Sequence, residues 1–416
     1  MDFFSKLGDT IERCWQETGR DHAAFAAIAA RCVSDNPPAE YVSTDEVIHT
    51  VCKATSLAAQ RNLRSPFGQP PLTVYAGTDF YIELLFWVDS TTSIHQHAFS
   101  GAFHVLEGSS VETRYRFDVG ERLSPGLATG RLEPLGVKHL TRGCTERIDM
   151  GPGFIHSLFH LHRPSVSVVV RTDRDPAAPA QFNYSAGGFA YDPFFDDALL
   201  VRKMQILEML ERTGNEGRFE RAFEAIAPAS PHAAFSLLGA AKSDDPRFEA
   251  LLERLREAHP EVTRCFSAHL AEQARERAII SLRSAIRVPE HRFLLALLLT
   301  VPRRTDVLKI IGQAHPKTPP ADTIVRWLSE LANESFARFG NRYLPSAQLD
   351  ETTLVVFRTL LDGLSDADAL LHLEAEFGTE QVRQNRAELL ELILALRGSV
   401  LFRNLLRAPC EESHAH

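Results

Sequence analysis

The feature that most constrains this chain is a change of hydrophobic period. From Leu72 to about Thr172, the segments FYIELLFWV, AFHVLEG, VETRYRF and SVSVVVRT are rich in aromatic and β-branched residues. The turn signals VDSTTS, EGSS, DVGERLSPG, RGC and GPG fall between them. Short strands with such spacing predict a β-sandwich or barrel. On both sides the period lengthens to that of helices. FFSKLGDTIERCWQETG and DHAAFAAIAARCVSD, the second with Asp21 as N-cap, precede a third expected helix from Thr44 or Asp45 through Leu63. After the strands come LLVRKMQILEMLER, PRFEALLERLREA, RFLLALLLTV, TIVRWLSELA and RAELLELILALRGSVLFRNLL, with Ser230, Asp245 and Ser365 at helix starts.

The expected class is α+β, in three parts. Residues 1–64 form an N-terminal helical segment, 65–190 a β-barrel entered through the turn-rich RSPFGQPP, and 198–416 a large all-α region of bundle or hairpin type. The stretch TDRDPAAPAQFNYSAGGFAYDPFFDD reads as a linker between the last two. A length of 416 residues favours several units over one.

Composition excludes some functions. A net charge of −9 with no basic tract argues against a phosphate-backbone partner, and no helix-turn-helix is evident, so no nucleic acid is expected. The longest apolar run, FLLALLLTVP from Phe293, is too short for a membrane span and reads as a buried helix. The N-terminus lacks a signal-peptide pattern. The cysteines Cys14, Cys32, Cys52, Cys144, Cys265 and Cys410 are scattered without C-x-x-C spacing, as in a reducing compartment. A cytoplasmic protein is expected. No Gly-rich phosphate loop, nucleophile elbow or repeated Glu-x-x-His pair is present.

What remains is a histidine constellation in SIHQHAFSGAFHVLEGS and MGPGFIHSLFHLHRP. His95 and His97 are two apart, so on an extended segment they project from one face. A third ligand must come from another strand, and His156, after a Gly-Pro-Gly turn, is the best placed. Three neutral imidazoles suit iron, nickel, copper, zinc or manganese. His104, His160 and His162 are the neighbours; His104 faces the site under only one of two strand alignments.

These residues resemble the motifs of the cupin superfamily. His95, His97 and Gly108 match the first motif, but its glutamate falls on Gly101 or Ala102. Gly153 and His156 match the second, where Gly151 stands at the proline position, Pro152 comes one residue late, and His160 replaces the asparagine. Loss of the glutamate is similar to the cysteine-dioxygenase-like thiol dioxygenases, as is the Arg-Asn-Leu run at Arg61, Asn62 and Leu63, although the spacing from Arg61 to His95 is longer here. The Ser-His-Tyr relay of that branch falls on Ser167, Val169 and Arg171, so only the serine is kept. The resemblance covers roughly residues 60–175.

It implies a cupin double-stranded β-helix, or jelly-roll barrel, with a mononuclear metal on His95, His97 and His156. Fe(II) is the expected ion, with Zn, Mn or Ni as the alternatives. Arg61 and Arg171 would meet a small anionic substrate, a thiol among the options, with O2 as co-substrate, and His160 and His104 would line the site. Two other readings stay open: a metal-dependent isomerase or lyase, and a ligand-sensing module whose helices bind a protein partner. Those helices could also cover the barrel mouth or form a homodimer.

Overall fold

The computed structural model describes residues 2–61, 63, 67–173, 175, 177–240, 248–331 and 349–407. Asn62, Asp245 and Cys410 lie outside them. Four helices open the chain: α1 (Asp2–Gln16), α2 (His22–Asp35), α3 (Pro38–Tyr41) and α4 (Thr44–Lys53). Phe4, Leu7, Ile11 and Trp15 form one buried stripe on α1. The Asp21 carboxylate caps α2 by accepting from the Ala23 N–H at 3.0 Å, and Ser43 and Glu46 close a capping box on α4.

The helix expected from Thr44 or Asp45 is α4, which ends at Lys53, ten residues short of Leu63. Tertiary hydrogen bonds compete with it. The Gln60 amide accepts from the Thr73 N–H at 3.0 Å and donates to the Thr73 carbonyl at 2.8 Å. The side chain thus satisfies a sheet edge that would otherwise lack partners.

Eleven strands follow among the described residues: β1 (Pro71–Ala76), β2 (Phe80–Trp87), β3 (Ile94–His95), β4 (Gly101–Glu107), β5 (Ser109–Ser124), β6 (Leu127–Thr141), β7 (Thr145–Ile148), β8 (Ile155–His160), β9 (Ser165–Thr172), β10 (Asn183–Ser185) and β11 (Phe189–Tyr191). One antiparallel sheet has the order β1-β2-β9-β4-β7; the others close in the order β10-β11-β6-β5-β8-β3. The chain is α+β, a double-stranded β-helix with helices before and after it.

Two sequence expectations are corrected here. DVGERLSPG is not a turn throughout: β5 continues to Ser124, and a register shift between Val119 and Glu121 absorbs Gly120 as a bulge. The linker-like stretch contributes β10 and β11, which pair with β3 and β6 and complete the closed sheet. Strands of three residues are too short to give a periodic signal.

The five-stranded sheet is buried on both faces, so its strands read as near-continuous apolar runs. On β2, Phe80, Ile82, Leu84 and Phe86 join the core formed with Phe4, Trp15, Phe25 and Val33 of the N-terminal helices. Leu85 and Trp87 turn the other way and pack with Phe103 and Val169. The same alternation divides Val166, Val168 and Val170 from Val169 on β9. The period of two therefore separates a helix-facing layer from a barrel interior.

After the barrel come α5 (Ala198–Arg212), α6 (Glu216–Ile226), α7 (Pro231–Ala240), α8 (Phe248–Ala258), α9 (Pro260–Ala285), α10 (Pro289–Thr300), α11 (Arg304–Ala314) and α12 (Pro320–Leu331). Further helices span Glu351–Leu361, Asp366–Phe377, Thr379–Gln384, Arg386–Gly398 and Arg403–Leu406. Ser230 and Ser365 accept from the Ala233 and Asp368 N–H groups, as N-caps should. Leu127 and Phe189 of the barrel pack with Leu207, Phe223 and Phe266. Val111, Phe159 and Leu161 pack with Phe293, Leu297 and Trp327. The closed sheet is thus covered by the C-terminal helices. No helix of the described residues is long and apolar enough to cross a membrane.

The loop between β2 and β3 is tied to those helices by charge. The Asp89 carboxylate meets Arg292 at 2.7 Å, Arg163 at 3.2 Å and Arg287 at 3.9 Å. Arg283 donates to the Asp89 carbonyl and the Thr91 hydroxyl. This loop leads directly into His95.

Candidate metal centre

His95 and His156 are register partners across the β3–β8 pair. His97 follows two residues after His95. The three ring centroids are 4.7 to 5.0 Å apart, and one nitrogen from each ring lies within 4.8 Å of the others. All three residues are buried. The histidines are therefore placed to hold one metal ion.

Hydrogen bonds fix two of the rings. His95 Nδ1 lies 2.8 Å from the Ser93 carbonyl, which can only accept, so Nδ1 carries the proton and Nε2 the lone pair. His156 Nδ1 lies 2.8 Å from Glu112 Oε1, with the same consequence. His97 Nε2 is 2.9 Å from His156 Nε2. Burial pushes the His95 and His156 imidazoles down to about 3; His156 adds to the effect on His95, and Arg114 adds to that on His156. Burial also holds His97 well below its ordinary value, reinforced by charge on His95 and His156. Neutral rings are the form that ligates.

The connecting backbone explains the departures from the motifs. Gly151 donates its N–H to the His97 carbonyl at 2.8 Å and has φ of +75°. Proline has no N–H and a fixed negative φ, so it cannot stand there. At Gly101 a Cβ would come within 1.9 Å of the Val170 carbonyl oxygen. A glutamate ligand cannot be housed at that position.

The rings open onto a cavity of about 40 Å³, room for a few water molecules. Trp87, Phe99, Phe103 and Leu158 supply apolar walls, and half-exposed Phe67 sits against Trp87 and His95. Arg171 and Glu83 are the charged groups in the lining, 3.3 Å apart. The Arg171 guanidinium also lies 3.8 Å from the Phe99 ring centre. Burial raises the Glu83 carboxyl above its ordinary range, opposed by Arg171.

The remaining sequence candidates lie elsewhere. Phe103 faces the cavity, so His104 faces the N-terminal helices instead. Its Nε2 accepts from the Ala39 N–H at 3.2 Å and its Nδ1 contacts the Thr145 hydroxyl at 2.8 Å. Strand parity assigns it to joining α3 to the sheet. His160 sits behind the wall, stacked on Trp87 with centroids 4.6 Å apart and bonded through Nδ1 to Ser110 at 2.8 Å. Arg61 does not line the cavity. It pairs with Asp173 at 3.1 Å and lies over the ring of Tyr81, which it shares with Arg171. Ser167, Val169 and Arg171 do all line the cavity.

Sequence reasoning missed Glu83 and Glu112. Each is a carboxylate inside a strand with buried neighbours: FYIELLFW is buried throughout, and Glu112 has no exposure. An acidic residue in such a run is the available signal, because burial without a partner is costly.

No family model matches the chain, and no curated protein matches it. Solved structures do. A cupin-2 domain protein from Shewanella frigidimarina is 14% identical over 26% of this chain and 82% of its own, with a TM-score of 0.18. A protein with a double-stranded β-helix domain from Klebsiella pneumoniae is 18% identical over 32% and 98%, with a TM-score of 0.18. Hydroquinone 1,2-dioxygenase from a Sphingomonas species is 15% identical over 26% and 66%, with a TM-score of 0.20.

Proposed function

We propose that this chain is a cupin-type metalloenzyme whose His95, His97 and His156 hold one divalent ion, Fe(II) by preference, and that it oxygenates a small anionic substrate. The observation that carries the reading is the convergence of three buried, neutral imidazoles, two of them with Nδ1 fixed by hydrogen bonds. The residues fit such an ion. One nitrogen from each ring lies within 4.8 Å of the others, and His97 Nε2 is 2.9 Å from His156 Nε2. Without an ion the same spacing is a hydrogen bond with His97 as donor, and the His97 ring must then change tautomer on loading.

A ferrous ion held by His95, His97 and His156 would supply dioxygen activation beside a bound substrate. The protein's own residues bind and orient. Arg171 presents a guanidinium to an anionic group, and its partner Glu83 must then be displaced or protonated. The raised Glu83 carboxyl makes it the group that can take or give a proton in the cavity. Trp87, Phe99 and Phe103 exclude water. Arg61 stands one ring away, on Tyr81, where it supports Arg171 rather than touching the metal site.

Glu83 also favours a second reading, a Lewis-acid isomerase or lyase with the carboxylate as base. Metal analysis of protein purified without added metal, joined to oxygen-electrode assays on small carboxylates and thiols, separates the two. Stoichiometric iron and substrate-dependent oxygen uptake, lost in Arg171→Met, are expected. Metal-dependent turnover without oxygen uptake overturns the oxygenase reading, and absence of bound metal overturns both.

A further inference from the structure

A second, larger cavity of about 470 Å³ lies between the closed sheet and the C-terminal helices. Its volume is in the range of small-molecule sites. It is a separate chamber from the metal cavity. On β3 and β8, His95 and His156 line the metal cavity while Ile94 and Ser157 line this one, because adjacent residues on a strand face opposite ways.

The charged lining is three arginines, Arg275, Arg403 and Arg407, against two glutamates, Glu272 and Glu276. Glu272 is neutralised within the lining: it meets Arg275 at 2.6 Å and Arg403 at 2.7 Å. Arg275 spends its other donors on the carbonyls of Leu298 and Leu299. The donors left over come from one short stretch of chain. The Arg407 guanidinium and the Asn404 side-chain amide have no hydrogen bond or ion pair among the described residues, and Nε of Arg403 has no acceptor. The helix Arg403–Leu406 and the residue that ends it therefore turn three donor side chains into the same space. Glu276 opposes them weakly. Burial, and then the charge of Glu272, raise its carboxyl to about 7, so near neutral pH it carries only part of its charge. The balance of the chamber is positive. On the sheet side Thr91, Ser93, Tyr115 and Ser157 add a wall of hydroxyl-bearing residues.

We infer that this chamber binds a small hydroxylated organic acid, with its oxyanion held by Arg407, Asn404 and Arg403 and its hydroxyl groups toward the sheet wall. A guanidinium is a planar fork of donors that fits a carboxylate or a phosphate oxyanion equally, so both share this chemistry. A cation of the same size would meet the net positive lining with like charge. The site stands apart from the histidine cluster and does not depend on what metal, if any, the cluster holds.

The test is isothermal titration calorimetry on the full chain with four probes of one body: sodium D-gluconate, D-glucose 6-phosphate, D-glucose and D-glucosamine hydrochloride. Saturable one-to-one binding of at least one of the two acids is expected, with none of glucose or glucosamine; the tighter acid tells whether the oxyanion is a carboxylate or a phosphate. Arg407→Gln should weaken that binding by about tenfold or more, as loss of a charge-assisted hydrogen bond requires. Asn404→Asp, which sets a carboxylate among the donors, should abolish it and carries the test if Arg407→Gln does not fold. Arg171→Met should leave it unchanged, since Arg171 lines the other cavity. Absence of saturable binding of both acids, equal binding of glucose or glucosamine, unchanged binding in either folded chamber variant, or its loss in Arg171→Met overturns the inference.

Discussion

The Oε1 atom of Glu112 lies 2.8 Å from Nδ1 of His156, with the carboxylate wholly buried. The pair crosses from β5 to β8 and decides which nitrogen of His156 faces its neighbours. Glutamine is almost the same shape but is a weaker acceptor. Glu112→Gln should therefore lower metal affinity about 10- to 100-fold without unfolding the barrel. Competition with a chromophoric chelator measures the affinity, and circular dichroism the fold. Unchanged affinity would remove Glu112 from the site.

Gly101 is one of the two positions, with Ala102, on which the glutamate of the resembling motif falls. The Val170 carbonyl oxygen occupies the space a Cβ would need. Gly101→Glu should not build a four-ligand centre. It should destabilise the protein by about 3 kcal/mol or more, because backbone rather than a movable side chain must yield. Urea unfolding gives the stability, and metal analysis the stoichiometry. Tighter metal binding in a stable variant would contradict this.

Asp89 ties the loop before His95 to Arg292, a fully buried arginine of α10. Asp89 has φ of +52°, a region asparagine also tolerates, so Asp89→Asn changes the charge and keeps the backbone. Loss of the partner leaves Arg292 buried and uncompensated. A cost of about 3 kcal/mol is expected in denaturant unfolding, near the lower end for buried pairs because the carboxylate keeps some solvent. Metal should also be released faster, since the Ser93 carbonyl that orients His95 lies on the same loop; stopped-flow chelation reports that rate.

Acid should unfold the protein through its buried neutral histidines. Burial pushes His160 down to about 3, with Arg283 adding to it, and His104 down to about 4, with Arg142 adding. Both folded values lie below the unfolded value of about 6.5. Between the two, the unfolded chain binds more protons, so stability falls as pH falls. The contribution is complete above about pH 6.5 and is lost progressively toward the folded values. Urea midpoints from pH 7.5 to 5 should fall, and His104→Gln, which offers a donor and an acceptor without a titrating ring, should flatten the slope. A slope identical to that of the parent would exclude His104.

Much of this molecule is legible in its sequence. The period-two runs located the long strands, and Asp21, Ser230 and Ser365 marked helix starts by their side-chain oxygens. The two-residue spacing of His95 and His97 pointed to one shared site, although β3 ends at His95 and His97 reaches the cluster from just beyond the strand. Less local features were hidden. The end of α4 depends on Gln60 meeting Thr73, and β10 and β11 exist because β3 and β6 offer them edges.

The sequence by itself determined which residues could ligate and which segments would be strands or helices, since periodicity and side-chain chemistry are carried residue by residue. Tertiary structure alone decided that β3 and β8 would pair so as to bring His95 opposite His156, that His104 would turn to the helices, and that Glu83 and Glu112 would enter the interior. Those outcomes depend on register and on which face of each sheet is covered, and both are set by contacts between segments far apart in the chain.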